Sequence, residues 1–497
     1  MTQGRGLHFT AACAASAFLI VGSSAFGAAN TRATPEAVEA KAPSSAGRNA
    51  KESTIAQPQD PALLSLKKRV MGLQKARLQN GLRVIMDLEP ESPTVAICVT
   101  YDVGSRNEGP GQSGFAHLFE HMMFQGSRNV PKGKHFQLIA ARGGTMNGTT
   151  NADRTNYFET LPTSELQLAL WLEADRMRWL NVSQENLDNQ RAVVKEEYRM
   201  RYENAPYRLA QIELDKHIFA GYPPYDHPTI GNLEDLDRAQ ISWVRDFHAR
   251  YYVASNAVLT IAGGFDADEA MRWVHEYFDD ALTAAAPVFS PPPTPPTPAT
   301  ETRLEVTDKN AKTPALMLGW RIAPHQHEMH AALELLARIL ADGESSLLYE
   351  SLVREKAWAR NVTAYTYDHS GPDAFIVNIE LTEKAKFDVV EAFLRKTLDS
   401  LAASGTDAPR LNRALQRAKS SFLFDLQSNQ SRANTFGEYE VIFGDARVVF
   451  TDLERLLSVT PEDIRHAASQ FVSPSTQTMV RVTPVGLPQA NAKGGAK

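Results

Sequence analysis

The hydrophobic residues of this chain recur with two different periods, one typical of strands and the other typical of helices. Short apolar runs within 76–87 and 94–103 predict strands, and Asn80-Gly81 inside the first run predicts a hairpin turn. Residues 164–180 have the spacing of an amphipathic helix. The first part of the chain is therefore predicted to mix strands with helices.

The order of elements is repeated in the second part of the chain. The sequence Leu-Glu-Asp-Leu at 233–236 is followed by an amphipathic helix and a strand at 257–262. The sequence Leu-Glu-Arg-Leu at 453–456 is followed by a helix and a strand at 478–482, with nearly the same spacing. A repeat of this length indicates two copies of one α+β domain rather than a solenoid.

Proline marks the boundary between the two copies. Residues 287–298 contain seven prolines, which cannot continue a helix or a central strand. We interpret 287–300 as a semi-rigid linker, with a docking site for a partner as the alternative. The predicted domains are an N-terminal domain at 66–286 and a homologous C-terminal domain at 301–485. Two flanking segments are predicted to be disordered, 29–65 and 486–497.

An apolar segment near the N-terminus predicts export of the protein. Arg5 is followed by an apolar run from Phe9 to Ala28, and small residues at its end offer a cleavage site. We interpret residues 1–28 as a secretory signal peptide, with an uncleaved anchor helix as the alternative. The mature chain is then expected in the periplasm, without stable membrane insertion, and with Cys98 as its single cysteine.

Length and charge narrow the class of protein. The 497 residues, of which 43% are hydrophobic and 22% charged, are enough for two or more globular domains. The formal net charge is -6 and there is no basic tract, so nucleic acid is not expected as a partner.

The strongest chemical signal is the sequence His117-Leu-Phe-Glu120-His121. Residues four apart on a helix share a face, so His117 and His121 can reach one metal ion, with Glu120 beside it. Two imidazoles and a carboxylate base are what metal-assisted hydrolysis needs. A surface helix with two solvated histidines is the alternative. Burial of the helix is favoured by its apolar neighbours Leu118, Phe119, Met122, Met123 and Phe124.

A catalytic zinc ion needs a third protein ligand, and the helix predicted after Ser183 offers one. Glu197 falls on the apolar face of this helix, whereas Glu196 points toward solvent. A solvated pair of glutamates is the alternative interpretation. The face is defined by the i, i+3, i+4, i+7 series Gln190, Val193, Val194 and Glu197.

With this glutamate, the chain resembles the pitrilysin or insulinase family of zinc metallopeptidases, the inverzincins, and within it the mitochondrial processing peptidase subfamily. Glu197 follows His121 by 76 residues in a Val-Val-x-x-Glu setting, as in the family pattern. The resemblance implies one Zn²⁺ per chain held by His117, His121 and Glu197, with Glu120 activating the bound water. It also implies two similar α/β sandwich halves, each a sheet with helices on one side, that close like a clamshell.

The resemblance implies roles for two more residues. Residues 143–150 resemble the family's edge strand, which binds extended peptides through backbone hydrogen bonds and places Asn147 opposite the substrate. A turn residue is the alternative for Asn147. Arg354 stands where the family has an arginine that holds the substrate, but Asn361 replaces the tyrosine expected seven residues later. Gln190 likewise replaces a glutamate that the family often has before the third ligand.

The absence of this tyrosine affects which partner subunit is expected. Some family members divide the zinc motif and the Arg/Tyr pair between two chains, so the resemblance implies the zinc-bearing subunit of a hetero-oligomer. The related partner would supply the pair, and Tyr365 or Tyr367 could replace it only with a shifted register. A homodimer, an active monomer and a non-catalytic structural or substrate-presenting subunit are the alternatives. The cluster His325-Gln-His327-Glu-Met-His330 lacks zinc-motif spacing and is interpreted as a polar helix start.

Overall fold

The structure, a computed structural model, describes residues 60–281, 283–297 and 300–486. The predicted signal peptide at 1–28 lies outside the described residues, as do most of the segment 29–65 and nearly all of 486–497. No helix within the described ranges is long and apolar enough to cross a membrane.

The first half of the described chain combines one sheet with a set of helices. Its strands are β1 (Gln74–Arg77), β2 (Arg83–Leu88), β3 (Thr94–Tyr101), β4 (Thr145–Thr150), β5 (Thr155–Pro162) and β6 (Ala257–Gly263). Its helices are α1 (Pro61–Met71), α2 (Phe115–Met122), α3 (Lys134–Ala141), α4 (Leu166–Trp179), α5 (Gln184–Tyr198), α6 (Arg208–Ile218), α7 (Leu233–Arg238), α8 (Ile241–Tyr251) and α9 (Ala267–Phe278). A π-helical turn, Arg199–Glu203, continues α5.

The second half repeats this mixture. Its strands are β7 (Thr302–Asp308), β8 (Ala315–Ile322), β9 (Ala359–Thr366), β10 (Asp373–Leu381) and β11 (Thr478–Pro484). Its helices are α10 (His330–Ala341), α11 (Phe387–Ser404), α12 (Ala408–Asp425), α13 (Asn429–Phe443), α14 (Val448–Leu457) and α15 (Pro461–Phe471). A π-helical turn, Tyr349–Glu355, precedes β9.

The two sheets share a five-stranded topology, to which β1 adds a sixth strand at one edge of the first sheet. The strand order is β1-β2-β6-β3-β5-β4 in the first sheet and β7-β11-β8-β10-β9 in the second. In each sheet the last strand of the half pairs parallel with one neighbour and antiparallel with the other, as β6 does with β2 and β3 and β11 does with β7 and β8. The repeat and the fold class predicted from the sequence, two homologous α/β halves, are confirmed.

Each half has its own hydrophobic core on one face of its sheet. The first core packs the sheet against α2, α4, α5, α8 and α9, and the second packs its sheet against α10, α11, α12, α14 and α15. The helices lie on one side, as expected, because each sheet buries one apolar face against the helices of its own half.

The opposite face of each sheet is covered by a helix from the other half. Helix α13 packs on β3 and β6, and helix α6 packs on β8 and β11. The approach is close: a Cβ atom on Gly437 of α13 would lie 2.5 Å from Thr100 Oγ1 of β3. In the reciprocal contact, a Cβ atom on Gly319 of β8 would lie 2.2 Å from Ile218 Cδ1 of α6. The two halves are therefore interlocked through α6 and α13.

Two boundaries are set by local chemistry. Helix α1 begins at Pro61, inside the segment 29–65 predicted to be disordered, because the Asp60 side chain accepts from Ala62 N and caps the helix. The segment predicted to be disordered thus ends before residue 65.

At the predicted hairpin, β1 pairs antiparallel with β2, and the Asn80 amide donates to Phe278 O at 2.6 Å.

The proline-rich segment lies against both halves. Residues 283–297 form no helix or strand, and β7 follows at Thr302. The Phe289 ring lies 4.6 Å from the Arg106 guanidinium carbon, and Arg321 donates to Pro295 O at 3.0 Å. The proline-rich segment thus contacts each half through these two residues, and its semi-rigid character stays a prediction.

Candidate metal centre

Helix α2, which carries the H-x-x-E-H motif, is buried in the first core. It starts at Gly114, whose φ of 89° lies in the left-handed region that glycine adopts without strain. The carboxylate of Glu108 accepts from the backbone N–H groups of Gly114 and Ala116 at 2.9 and 2.7 Å, which satisfies the first turn. The buried residues of the helix include Leu118, Phe119 and Met122. The surface-helix alternative is wrong.

Helix α5 presents Glu197 to α2. The Ser183 side chain accepts from Asn186 N, as predicted for an N-cap. Glu197 is 14% exposed, whereas Glu196 is 60% exposed and pairs with Arg199. The assignment of the inner and outer glutamates from the helical period therefore agrees with the structure.

One residue on the predicted face of α5 points elsewhere. Val193 is 43% exposed, although it was expected on the inner face. The buried stripe consists of Leu187, Gln190 and Val194, and it leads to Glu197. With Gln190 as position i, the i, i+4, i+7 series is thus the inner one, and Val193 at i+3 lies at its edge because the stripe is narrower than the sequence indicates.

The side chains of His117, His121 and Glu197, which we call the first donor cluster, converge between α2 and α5. Their donor atoms lie within 4.8 Å of one another. Glu197 is 3.3 Å from His121 Nε2 and 3.9 Å from His117 Nε2. The two imidazole rings meet edge to face, with centroids 4.8 Å apart. Two imidazole nitrogens and a carboxylate oxygen at these distances are a donor set that fits zinc.

Neighbouring side chains orient this cluster. Gln190 Oε1 is 3.3 Å from His121 Nδ1, so donation from Nδ1 leaves Nε2 free to face Glu197. Arg201, on the π-helical turn after α5, is 2.8 Å from Glu197 Oε1. Neither contact was predicted from the sequence. The i, i+4 spacing of Glu197 and Arg201 was the available signal for the second.

The electrostatics of the cluster suit metal binding. Burial, together with the adjacent His121, lowers the pKa of His117 to about 3, so its imidazole is neutral. Burial alone would raise the pKa of Glu197, but the hydrogen bond from His121 and nearby positive charge, including that of Arg201, lower that pKa to about 2. A neutral imidazole and an ionised carboxylate are the forms in which these groups ligate metals.

Glu120 lies beside the cluster and is held by the end of β4. The Thr150 hydroxyl donates to Glu120 Oε2 at 2.6 Å. Burial raises the pKa of Glu120, and the nearby His121 and the hydrogen bond from Thr150 oppose this shift. The carboxylate is buried and its second oxygen, Oε1, remains for a proton. Thr150 was not predicted from the sequence.

Strand β4 is the free edge of the first sheet, because it pairs with β5 alone. Asn147 lies within this strand, opposite Phe158, and not in a turn. Its side chain is exposed, and its Oδ1 accepts from Gly148 N at 2.9 Å. Among the described residues no second strand pairs with this edge, which lies next to Glu120, as β-strand addition of a peptide requires.

The residues predicted in the second half lie apart from this cluster. Arg354 is exposed on the π-helical turn before β9, and no hydrogen bond or ion pair among the described residues joins it to the first donor cluster. Asn361 is exposed on β9, with an unshifted register from there to Thr366. The Tyr367 hydroxyl donates to Asp215 of α6 at 2.7 Å. Tyr367 is therefore engaged elsewhere.

Comparisons with known families cover both halves. A family model described as Insulinase (Peptidase family M16) matches residues 83–221, which contain the whole first donor cluster. A model described as Peptidase M16 inactive domain matches residues 241–418. Two models of one peptidase family thus match successive parts of the chain.

Individual proteins agree with these matches. The zinc protease PqqE of Helicobacter pylori is 25% identical over 414 residues, which cover 83% of this chain and 93% of that protein. The crystal structure of a protease from Helicobacter pylori has a TM-score of 0.77 at 24% identity and covers 83% of this chain and 99% of its own. The periplasmic protease PqqL from Escherichia coli has a TM-score of 0.69 at 18% identity, covering 86% of this chain and 48% of that one.

The two structural likenesses concern the fold, and the family follows from the models and the sequence relative together. Both matched models describe one peptidase family, and between them they extend over both homologous halves. The relative named as a zinc protease is similar along nearly its whole length. This chain belongs to the M16, or insulinase, family of peptidases.

Proposed function

We propose that this chain is a zinc-dependent endopeptidase that hydrolyses extended peptides. The observation that carries the proposal is the convergence of His117, His121 and Glu197 within 4.8 Å, next to the buried carboxylate of Glu120. The family membership and the naming of relatives as zinc proteases support the same conclusion.

His117, His121 and Glu197 would hold the zinc ion. When bound, the zinc ion polarises the scissile carbonyl and acidifies a water molecule. Nδ1 of His117 is buried and has no hydrogen-bond partner among the described residues. The donor set supports this assignment.

Glu120 is the proposed general base. Thr150 occupies Oε2, which leaves Oε1 to take a proton from the attacking water and to pass it to the leaving amine. Because burial raises the pKa of Glu120, the carboxylate is a stronger base than a solvated glutamate. The Thr150 hydrogen bond fixes the direction in which the free oxygen points.

The free edge of β4 is the proposed binding surface for the substrate. An extended peptide would add as a strand beside β4, with Asn147 contacting it from an exposed position. Arg354 is proposed to hold the substrate from the second half.

A related subunit is the proposed partner. Asn361 stands where the family resemblance expects a tyrosine, and Tyr367 is bonded to Asp215, so an Arg/Tyr pair would come from a second chain in a hetero-oligomer. The chain spans about half of PqqL from Escherichia coli, a length that accommodates two such units. We place the active protein in the periplasm, on the basis of the apolar segment at 9–28.

A second candidate function is a non-catalytic, substrate-presenting subunit. The match of residues 241–418 to a model described as an inactive domain favours it. That match covers the half without the H-x-x-E-H motif, however, and the first donor cluster lies outside it. The intact donor set therefore favours the catalytic proposal.

Cleavage of quenched fluorescent peptides by the purified, zinc-loaded chain tests the proposal, with Glu120→Gln as the matched variant. We expect Glu120→Gln to keep its zinc and to lose at least about a hundredfold in turnover. Turnover by the wild-type chain alone would remove the need for a partner. Undiminished turnover by Glu120→Gln would refute the mechanism.

A further inference from the structure

Three donor side chains from separate segments of the second half also converge. His325 follows β8, His330 begins α10, and Asp368 lies in the connection between β9 and β10. We call them the second donor cluster, and their donor atoms lie within 4.8 Å of one another. The half without the H-x-x-E-H motif therefore holds the same donor types as the first donor cluster, two imidazoles and one carboxylate.

The distances within the second donor cluster are close to those of a zinc site. His330 Nε2 lies 3.1 Å from Asp368 Oδ1, and His325 Nδ1 lies 3.8 Å from the same oxygen. Ligand atoms about 2.0–2.2 Å from a tetrahedral zinc ion are about 3.3–3.6 Å apart. The two distances to Asp368 Oδ1 differ from this range by a few tenths of an ångström, and the two imidazole nitrogens, at most 4.8 Å apart, would draw together around an ion.

The second sphere of His325 has the arrangement found around metal-binding histidines. Nε2 of His325 is 2.7 Å from Asp452 Oδ2, and Asp452 Oδ1 accepts from Arg455 at 3.3 Å. In the neutral ring, donation from Nε2 to this carboxylate leaves the lone pair on Nδ1, and a metal ion would displace any proton held there. That Nδ1 is buried and has no hydrogen-bond partner among the described residues. It faces Asp368, where an ion would lie.

The backbone conformation of Asp368 directs its side chain toward His325 and His330. Its φ of 63° is in the left-handed region, which costs about 1 kcal/mol for a residue with a Cβ atom. The conformation is held because Asp368 N donates to Oδ2 of the buried Asp373 at 3.0 Å. The Asp368 side chain is 59% exposed, which leaves an entry path for an ion.

We propose that His325, His330 and Asp368 form a second site for a divalent transition-metal ion, best matched by zinc and separate from the peptidase centre. Two imidazoles with a carboxylate suit zinc, cobalt or nickel better than magnesium or calcium. This adds a second ion to the single Zn²⁺ that the family resemblance implies.

The bound ion would restrain the connection between β9 and β10, which forms hydrogen bonds with the first half. Two residues after Asp368, Ser370 N donates to Asp153 Oδ2 at 2.9 Å, in the turn between β4 and β5. Arg106 donates to both Asp153 and Ser370, at 2.7 and 2.6 Å. An ion on Asp368 therefore acts on the contact between the second half and the hairpin that carries Thr150.

Metal counting on the full, tag-free chain tests the proposal. The protein is stripped with a chelator, reloaded with Zn²⁺, passed through a desalting column and measured by mass spectrometry of the metal. We expect two zinc ions per wild-type chain and one in Asp368→Asn, in which asparagine tolerates the same backbone conformation. His330→Gln is the second variant, and the exposed Glu328→Gln is the matched control that keeps two.

The variants separate this proposal from the proposed function. His121→Gln removes a ligand of the first donor cluster and should leave one zinc ion, which Asp368→Asn in the same chain then removes. One zinc ion in the wild-type chain, retained in Asp368→Asn and lost in His121→Gln, would overturn the second site and leave the peptidase centre standing. A single zinc ion in the wild-type chain that is lost in Asp368→Asn and retained in His121→Gln would support the second site and refute zinc binding at the first donor cluster.

Cobalt loading gives an independent readout. Co²⁺ bound by two imidazoles and a carboxylate absorbs in the visible range, and the wild-type spectrum should lose about half its intensity in Asp368→Asn. Circular dichroism of each variant reports whether it folds. A wild-type chain that takes up a single equivalent of either metal contradicts the proposal whatever the variants do.

Discussion

The Thr150 hydroxyl donates a hydrogen bond of 2.6 Å to Oε2 of Glu120, and it thereby joins the end of the edge strand β4 to the proposed general base. The carboxylate would otherwise be free to rotate, so this contact selects Oε1 as the proton acceptor. A peptide that binds along β4 thus lies on the same element that orients the base.

Thr150→Val should slow peptide hydrolysis without removing zinc. A hydrogen bond to a charged group contributes about 1.5–3 kcal/mol, so a loss of about tenfold or more in kcat is expected. Steady-state kinetics with metal analysis measure both quantities. Thr150→Ser, which keeps the hydroxyl, is the matched control and should stay near wild type. Equal activity of the valine and serine variants would show that the hydrogen bond does not orient Glu120.

Gln190→Leu should weaken zinc binding. Gln190 Oε1 lies 3.3 Å from His121 Nδ1 and leucine cannot accept this hydrogen bond, so the imidazole loses its fixed tautomer. Loss of such a partner typically costs about 10–100-fold in metal affinity. Competition with a chromophoric chelator measures the zinc dissociation constant. Glu196→Gln, a change at an exposed position on the same helix, is the control. An unchanged constant in Gln190→Leu would exclude the orienting role.

His227 should make the stability of the fold depend on pH above neutrality. Burial acts against the charged ring, yet hydrogen bonds to Asp226 and Glu108 raise the pKa of His227 to about 10. The unfolded chain has a pKa of about 6.5 for this group. The ion pair therefore stabilises the fold fully below about pH 6.5, and its contribution is lost as the pH rises through about 10.

His227→Gln should lower the Tm at pH 6 and flatten its decline between about pH 6.5 and 10. The expected loss at pH 6 is about 1.5–3 kcal/mol, the value of a hydrogen bond to a charged group. His275→Gln is the control, because His275 pairs with Asp279 at the exposed surface, where such pairs contribute little. Parallel Tm profiles for wild type and His227→Gln would contradict this prediction.

Gly437→Leu should destabilise the contact between α13 and the first sheet. Its side chain would begin 2.5 Å from Thr100 Oγ1, so the helix must move away from β3. Overpacking of this kind costs about 1–3 kcal/mol, measured by urea denaturation. Combining it with Thr100→Ala removes the clashing oxygen and should restore part of the loss. An additive double variant would mean that the two residues do not meet.

The sequence predicted what depends on local pattern. The period of α5 separated Glu197 from Glu196, and the repeated order of elements predicted two homologous halves. It did not predict the exposure of Val193, since a periodic face does not define its own width. Contacts between segments that are distant in the sequence could not be predicted either. Thr150 lies 30 residues from Glu120, and Asp368 lies 38 residues from His330.

The packing of α6 and α13 on the sheets of the opposite halves changes the role of the proline-rich linker. Each helix buries its apolar face on the sheet of the other half. Arg432 of α13 also forms a buried ion pair with Asp87 of β2 and a partly exposed one with Glu89, so the folded surfaces themselves hold the two halves together. A protease that nicked the chain within 283–297 would yield two fragments that still migrate as one particle. The linker then serves mainly to make assembly of the two halves unimolecular.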